Sequence, residues 1–160
     1  MQNSTSIVRV LTGTAMLGAV AAVLMYLEFP IPIMPAFVKL DVSELPALIA
    51  SFAYGPVSGI LVCLIKNLIK LPSTSTAAVG ELFNFVMGAL FVGVAGLIYK
   101  RNKTRKGAIV GALLGALVMA VVSVPYNYFI VYPAYVVLYH LPLEAIIGMY
   151  QAINPSVDGL

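Results

Sequence analysis

Five polar side chains interrupt apolar stretches of this 160-residue sequence, and they belong to Lys66, Asn67, Glu81, Asn84 and Asn127. A charge or an amide within an apolar segment is unfavourable unless it meets a partner or a polar ligand. Amides donate and accept hydrogen bonds at once, which suits the polar edge of a heterocycle. A mostly apolar pocket with a few such groups favours a flat, amphipathic ligand over an ion. We therefore predict a ligand-binding site.

Motifs for catalysis, nucleotide binding and metal binding are absent from the sequence. It has no G-x-x-x-x-G-K-[ST] loop for nucleotide phosphates and no H-E-x-x-H pair or Cys/His cluster for a metal. The one histidine, His140, and a candidate nucleophile, Ser58, are expected near opposite ends of the molecule. We therefore expect a protein that is not an enzyme, with no catalytic residues, no metal and no cofactor.

The elements that must position these side chains are membrane helices. Hydrophobic residues make up 61% of the chain and charged residues 9%, and the mean hydropathy is +1.02. Such a composition indicates a protein of the lipid bilayer. Stretches 10–27, 82–99 and 107–139 lack charged residues, and each is long enough to cross about 30 Å of hydrocarbon as a helix. Gly55-Pro56 divides a further uncharged stretch, 45–65.

A short basic connection predicts the topology. Its positive residues are Lys100, Arg101, Lys103, Arg105 and Lys106. This clustering is typical of a cytoplasmic loop, and it argues against a nucleic-acid surface. Counting back along the chain places the N-terminus in the cytoplasm of a multi-pass protein of the cell membrane. Five spans are predicted, at 6–27, 43–54, 57–70, 78–99 and 107 to about 125.

The connection after the first helix is rich in proline and in ionisable residues. It begins FPIPIMPAFVKLDVSE at Phe29, and the topology places it outside the membrane. Prolines limit the freedom of the connection and so reduce the entropy lost when it closes. We interpret it as a lid over an outward-facing site. Ser43 is predicted as the N-cap of the second helix.

Two interpretations of the polar side chains remain open. Lys66 could pair with Glu81 only to neutralise two charges, and Asn84 and Asn127 could be hydrogen-bond partners between helices. The predicted topology, however, brings all of them to the outer half of the bundle. That convergence favours a ligand.

The first helix carries overlapping pairs of small residues. These are Ala15, Gly18, Ala19 and Ala22. Small residues at this spacing let another helix approach closely. The approaching helix could belong to a partner protein or to this same bundle.

Four segments together resemble the riboflavin-specific S components of energy-coupling factor (ECF) transporters. They are FPIPIMPAFVKLDVSELPALIASFAYGPVSGILVCLIKNLIKL, VGELFNFVMG, PYNYFIVYPAY and LPLEAIIGMYQAINP, in the family's order. The resemblance implies an all-α membrane protein, a compact transmembrane helical bundle with six helices, of which five spans are expected here. It also implies partners, namely a transmembrane coupling protein and two cytoplasmic ATPases that hydrolyse ATP. Ala15 and Ala19 match the face that docks on the coupling protein.

The same resemblance implies roles for the site residues. The flavin ring is expected in an apolar slot of Leu40, Phe83 and Tyr128, with Asn127 at the polar edge of the ring. Candidates for the ribityl hydroxyls are Asp41, Lys66, Asn67, Glu81 and Asn84.

One departure from the family concerns its last helix. The family has a P-F-N-x-x-K-G-like segment there, and the 160 residues contain none. We expect residues 1–160 to form one substrate-binding membrane domain without that helix. An S component for another vitamin, such as thiamine or folate, and a non-transporting membrane scaffold are the alternatives.

Overall fold

A computed structural model describes residues 4–27, 29–30, 39–40, 42–74 and 78–139, with positions 148 and 151. The prediction of an all-α membrane bundle is confirmed, and the described residues add one pair of two-residue strands. The helices are α1 Ser4–Tyr26, α2 Glu44–Tyr54, α3 Pro56–Lys70, α4 Val79–Arg101, α5 Arg105–Tyr126 and α6 Tyr132–Tyr139. A 3₁₀ turn covers Leu71–Ser73 and a π-helical turn covers Asn127–Val131. The strands are β1 Phe29–Pro30 and β2 Lys39–Leu40.

The helix ends lie where turn and cap residues predict them. Pro56 starts α3 at once after Gly55, whose φ of 109° is a conformation that glycine adopts without strain. Thr104 caps α5 by accepting the backbone N–H of Gly107 at 3.0 Å. The predicted fifth helix, however, does not stop at Pro125. It includes Pro125 and continues through the π-helical turn into α6.

The number of membrane-crossing helices differs from the prediction. Four helices in the described part of the chain are long and apolar enough to cross, and they span Ser6–Tyr26, Pro56–Ser73, Val79–Arg101 and Arg105–Val131. The fifth predicted span corresponds to α2, which has 11 residues. At 1.5 Å per residue, α2 is about 16 Å long, roughly half of the hydrocarbon thickness. The helix count is therefore compatible with the predicted bundle, in which α2 is shorter than the other four helices.

The helices pack in the order α1, α3, α4, α5, and α2 contacts the first three of these. A cluster of buried, mostly small side chains fills the centre, and it consists of Ala21, Ala47, Ala50, Val62, Cys63 and Val92. Small residues let α2 lie close to its neighbours. The short helix is thereby held by packing on three sides.

The turn between α2 and α3 lies directly against α4. Ser51 donates its hydroxyl to the carbonyl of Val92 at 2.7 Å. A Cβ added at Gly96 would lie 3.1 Å from Cα and Cβ of Pro56 and would overlap the Ser51 hydroxyl oxygen. Gly96 is therefore required for the turn to rest against α4.

We expect Gly96→Ala to lower the free energy of unfolding by about 1–3 kcal/mol, the usual effect of adding a methyl group to a filled site. Gly93→Ala is the matched control, because a Cβ at Gly93 would come only to 3.6 Å from Ile60. Thermal unfolding of both variants in detergent measures the difference. Equal stability of the two variants would contradict the packing described here.

Candidate functional site

Contacts between helix termini define one end of the bundle. The hydroxyl of Tyr26, at the end of α1, lies 2.9 Å from the hydroxyl of Ser73, just after α3. The ring of Phe83, near the start of α4, lies 5.6 Å from the ring of Tyr126, at the end of α5. We call this end, which also carries the start of α2, the Lys66 end. The opposite end, with the α2–α3 turn, is the Gly55 end.

Lys66 is fully buried at this end, with 0% of its side chain exposed. Its ammonium group donates to the Ser43 hydroxyl at 2.5 Å and to Oε1 of Glu44 at 2.7 Å. The ion pair of Lys66 is thus formed with Glu44, whereas the sequence suggested Glu81. Ser43 occupies the N-cap position of α2, as predicted, but its side chain makes no capping hydrogen bond to the helix.

The sequence argument missed Glu44, although a signal for it exists. Glu44 lies 11 residues before Gly55 (55 − 44), and Lys66 lies 11 residues after it (66 − 55). In an antiparallel helical hairpin that turns at Gly55, two such residues stand at the same depth. Equal spacing about the turn therefore predicts this ion pair.

The carboxylate of Glu44, on α2, contacts both α3 and α4, and 24% of the Glu44 side chain stays exposed. The thiol of Cys63, on α3, donates to Oε2 at 3.5 Å. Gly88, on α4, leaves the space that the carboxylate occupies, because a Cβ there would lie 2.6 Å from Oε1. Glu44 consequently joins α2, α3 and α4 at one point.

Two amide oxygens at the Lys66 end are buried without a partner among the described residues. They are Oδ1 of Asn67 and Oδ1 of Asn84. Asn67 uses its amide nitrogen to donate to the carbonyl of Cys63 at 2.8 Å. An unsatisfied buried acceptor costs about 1–3 kcal/mol. Both oxygens are thus available to a hydrogen-bond donor.

Glu81 is buried and supports the connection between α3 and α4. It accepts the Thr74 hydroxyl at 2.7 Å, and the same Thr74 oxygen accepts the backbone N–H of Ala78 at 3.2 Å. Ala78 has a φ of 68°, an unusual conformation for a residue with a Cβ. The Thr74 contacts favour this turn.

Asn127 directly follows Tyr126, whose ring meets Phe83, whereas Tyr128 is exposed. Asn127 is half-buried, and its amide nitrogen donates to the Ser123 carbonyl at 2.9 Å. The ring that lies against Phe83 is Tyr126. Tyr128 is 55% exposed and meets Phe129 edge to face at 5.1 Å. Tyr126 is therefore the aromatic residue that sequence reasoning missed.

Of the two remaining predicted site residues, Leu40 and Asp41, the structure describes the first. Leu40 is in β2, opposite Phe29 in β1. Asp41 and most of the predicted lid, 31–38, lie outside the described residues. The predicted slot of Leu40, Phe83 and Tyr128 stays a prediction.

The small residues of α1 separate into two pairs. Gly18 and Ala22 are buried, and a Cβ at Gly18 would lie 3.0 Å from the Ile65 side chain on α3. Ala15 and Ala19 are exposed on the outside of the bundle. Packing within this chain therefore uses one pair, and the other pair is accessible to a partner.

A cavity of about 300 Å³ opens at the Gly55 end, and the sequence did not predict it. Its lining includes Phe52, Tyr54, Tyr99, Lys100 and Lys103. The cavity forms because α2 and α3 turn beside Gly96 while α4 continues to Arg101. It lies at the opposite end from the residues predicted to bind ligand.

Long apolar helices that collect charged and amide side chains at one end define a multi-pass membrane protein of the solute-binding class. A sequence model described as "ECF transporter, substrate-specific component" matches residues 9–157. This chain belongs to the family of ECF transporter substrate-specific components.

Individual relatives agree with that assignment. Riboflavin transporter RibU of Staphylococcus aureus is 39% identical over 127 residues, covering 79% of this chain and 67% of that protein. Riboflavin transporter FmnP of Bacillus subtilis is 38% identical over 138 residues, covering 84% and 73%. The structure is similar to a solved S component of a bacterial ECF transporter, with a TM-score of 0.75 and 36% identity. That likeness covers 91% of this chain and 84% of the other.

Proposed function

We propose that this chain is the substrate-binding membrane subunit of an ECF-type vitamin importer, and that it captures riboflavin from outside the cell. The observation that carries the ligand assignment is the alignment of most of the chain with proteins named as riboflavin transporters, at 34–39% identity. The orientation follows the basic α4–α5 connection, which favours the cytoplasmic side. The Lys66 end then faces outward, and the N-terminus lies in the cytoplasm.

The site proposed for riboflavin lies at the Lys66 end, as part of one membrane domain. The unpaired oxygens of Asn67 and Asn84 support it, because ribityl hydroxyls are donors that such acceptors require. Phe83 and Asn127 lie at the same end on α4 and after α5, where a flavin ring could contact an aromatic face and an amide together. The proposed roles of Leu40, Asp41, Glu81 and Tyr128 are those that the resemblance implies. For Lys66, which the resemblance also suggests as a ribityl contact, the hydrogen bonds to Ser43 and Glu44 favour a positioning role instead.

The energy for import is proposed to come from other subunits. The sequence contains no nucleotide-binding loop of the G-x-x-x-x-G-K-[ST] type. A transmembrane coupling protein and two cytoplasmic ATPases would supply ATP hydrolysis. Ala15 and Ala19 are exposed on α1, and this small-residue surface suits close contact with a helix of the coupling protein.

Riboflavin binding is tested by titrating the purified protein and following the quenching of flavin fluorescence. We expect quenching at micromolar flavin, and about tenfold weaker binding by Asn127→Ala, the effect of losing a hydrogen bond or two to the ring. The thermal stability of this variant should change little. The Ser123 carbonyl, which accepts the amide of Asn127, also accepts the backbone N–H of that residue, so it stays paired.

Asn102→Ala is the matched control, because Asn102 ends α4 at the Gly55 end and is exposed. It should bind riboflavin as the wild type does. Absence of quenching by the wild-type protein would end the riboflavin assignment. Loss of stability by Asn127→Ala at unchanged affinity would instead assign Asn127 to packing alone.

A further inference from the structure

The chain between α1 and α2 is closed at its base by a very short strand pair. Phe29 pairs with Leu40 and Pro30 with Lys39 in antiparallel register. Proline has no N–H to give to this ladder, and two isolated two-residue strands contribute little stability. The position of this hairpin base must therefore depend on the residues that hold the chain on either side of it.

The stem on the α2 side, which is the short chain that joins β2 to α2, is held by Lys66. Its ammonium group binds the Ser43 hydroxyl and the Glu44 carboxylate, which lie three and four residues after Leu40 (43 − 40 and 44 − 40). Ser43 has 0% exposure, as does Lys66. A buried, charged hydrogen bond of this kind resists displacement of either partner.

The stem that leaves α1 is held by Lys70. Its ammonium group donates to the carbonyl of Met25 at 3.2 Å and lies 6.0 Å from the centre of the Tyr26 ring. The last carbonyls of a helix have no partner within the helix, and a cation there is favourable. The hydrogen bond between Tyr26 and Ser73 reinforces this attachment.

Lys66 and Lys70 are four residues apart on α3, so their side chains leave neighbouring turns of one helix face. We infer that Lys66 and Lys70 are positioning residues, a clamp that fixes both stems of the hairpin base against α3. This inference rests on the proposed function in one respect: by holding the hairpin base, the clamp slows the departure of bound riboflavin from the Lys66 end.

The clamp acts on the hairpin base and not as a direct contact of Lys66 with the ligand. Lys66 already directs two of its three N–H groups to Ser43 and Glu44. With 0% exposure, its ammonium group is also covered by protein. Replacing the clamp should therefore change how fast ligand leaves and leave the surroundings of the flavin ring as they were.

The test uses one variant for each stem. Lys70→Met frees the α1 stem, and the double variant Lys66→Met/Glu44→Leu frees the α2 stem by removing both members of this ion pair. In ligand-free protein, we expect amide hydrogen exchange of residues 39–42 to become about tenfold faster in each variant, as loss of one charge-assisted hydrogen bond predicts. Lys106→Met, an exposed change at the start of α5, is the control that should exchange as the wild type does.

The second measurement is the dissociation rate of riboflavin, followed as recovery of flavin fluorescence after dilution. Both variants should release flavin about tenfold faster, with association within about twofold and an unchanged absorption spectrum of the bound flavin. Combining the Lys70 and Lys66/Glu44 substitutions should speed release only about twofold more than either does alone, because freeing one stem already frees the hairpin base. If the two sites contacted the ligand independently, their tenfold effects would instead multiply to about a hundredfold.

Unchanged hydrogen exchange in both variants would overturn the clamp, whether or not riboflavin is the ligand. Faster hydrogen exchange with an unchanged rate of flavin release would overturn the role of the clamp in retaining ligand. A hundredfold faster release by the combined variant, together with an altered spectrum of the bound flavin, would overturn that role as well. Failure of the wild-type protein to bind riboflavin would refute the proposed function, and the exchange measurement would still decide whether the two lysines hold the hairpin base.

Discussion

Lys66→Met will lower the free energy of unfolding by about 2–3 kcal/mol, less than the effect of removing one partner from a fully buried ion pair, because 24% of the Glu44 side chain is exposed. The variant keeps most of the volume of the lysine but leaves the Glu44 carboxylate among Cys63 and Gly88 without its cation. Ser43 loses its donor in the same step. Thermal unfolding in detergent micelles, compared with the wild type, measures the loss.

A compensating double variant distinguishes the effect of the lost charge on stability from the effect of changed packing. Lys66→Met/Glu44→Leu replaces both charges with apolar side chains of similar volume, and such replacements are often neutral or stabilising. We expect its stability to return close to that of the wild type. If Lys66→Met alone were as stable as the wild type, Glu44 would have a better partner than Lys66, and the assignment of this ion pair would be incorrect.

The helices themselves could be predicted from sequence with little error. Uncharged stretches of sufficient length must be helical in a bilayer, because their backbone groups find no other partner there. Gly55-Pro56 and Thr104 mark ends that local chemistry decides. Hydropathy is less informative about helix length, and the span predicted at 43–54 is the 11-residue helix α2.

The partner of Lys66 depends on how neighbouring helices align, which no single segment determines. Glu81 and Glu44 are both acidic residues near helix ends at the Lys66 end of the bundle, and composition does not distinguish them. The structure places Glu44 at the ammonium group and Glu81 at Thr74. Counting residues outward from the turn at Gly55 would have identified Glu44, and not Glu81, as the acidic residue at the depth of Lys66.

The aromatic part of the site was shifted by the π-helical turn. An interpretation that ends the fifth helix at Pro125 treats the following tyrosines as interfacial residues. The structure keeps the chain helical, and the wider turn at Asn127–Val131 changes which side chains face α4. Tyr126 then meets Phe83, and Tyr128 faces outward beside Phe129. Proline explains the wider turn, since Pro125 cannot donate a backbone hydrogen bond.

Ala15→Leu/Ala19→Leu will weaken association with the proposed coupling protein and ATPases by about 30-fold or more, since overpacking costs about 1–3 kcal/mol for each of the two added side chains. Both positions are exposed on α1, so the larger side chains disturb no contact within this chain. Riboflavin affinity of the isolated subunit should therefore stay as in the wild type. Co-purification of the complex and riboflavin uptake by cells measure the loss.

Two alanine-to-leucine controls distinguish a docking surface from general damage. Ala116→Leu, exposed on α5 at the other edge of the bundle, should alter neither association nor uptake. Ala22→Leu, where the alanine is 4% exposed, should lower thermal stability because leucine does not fit against the neighbouring helix. Full uptake by the Ala15→Leu/Ala19→Leu variant would exclude this face of α1 from coupling, because a closely packed partner helix leaves no room for two leucines.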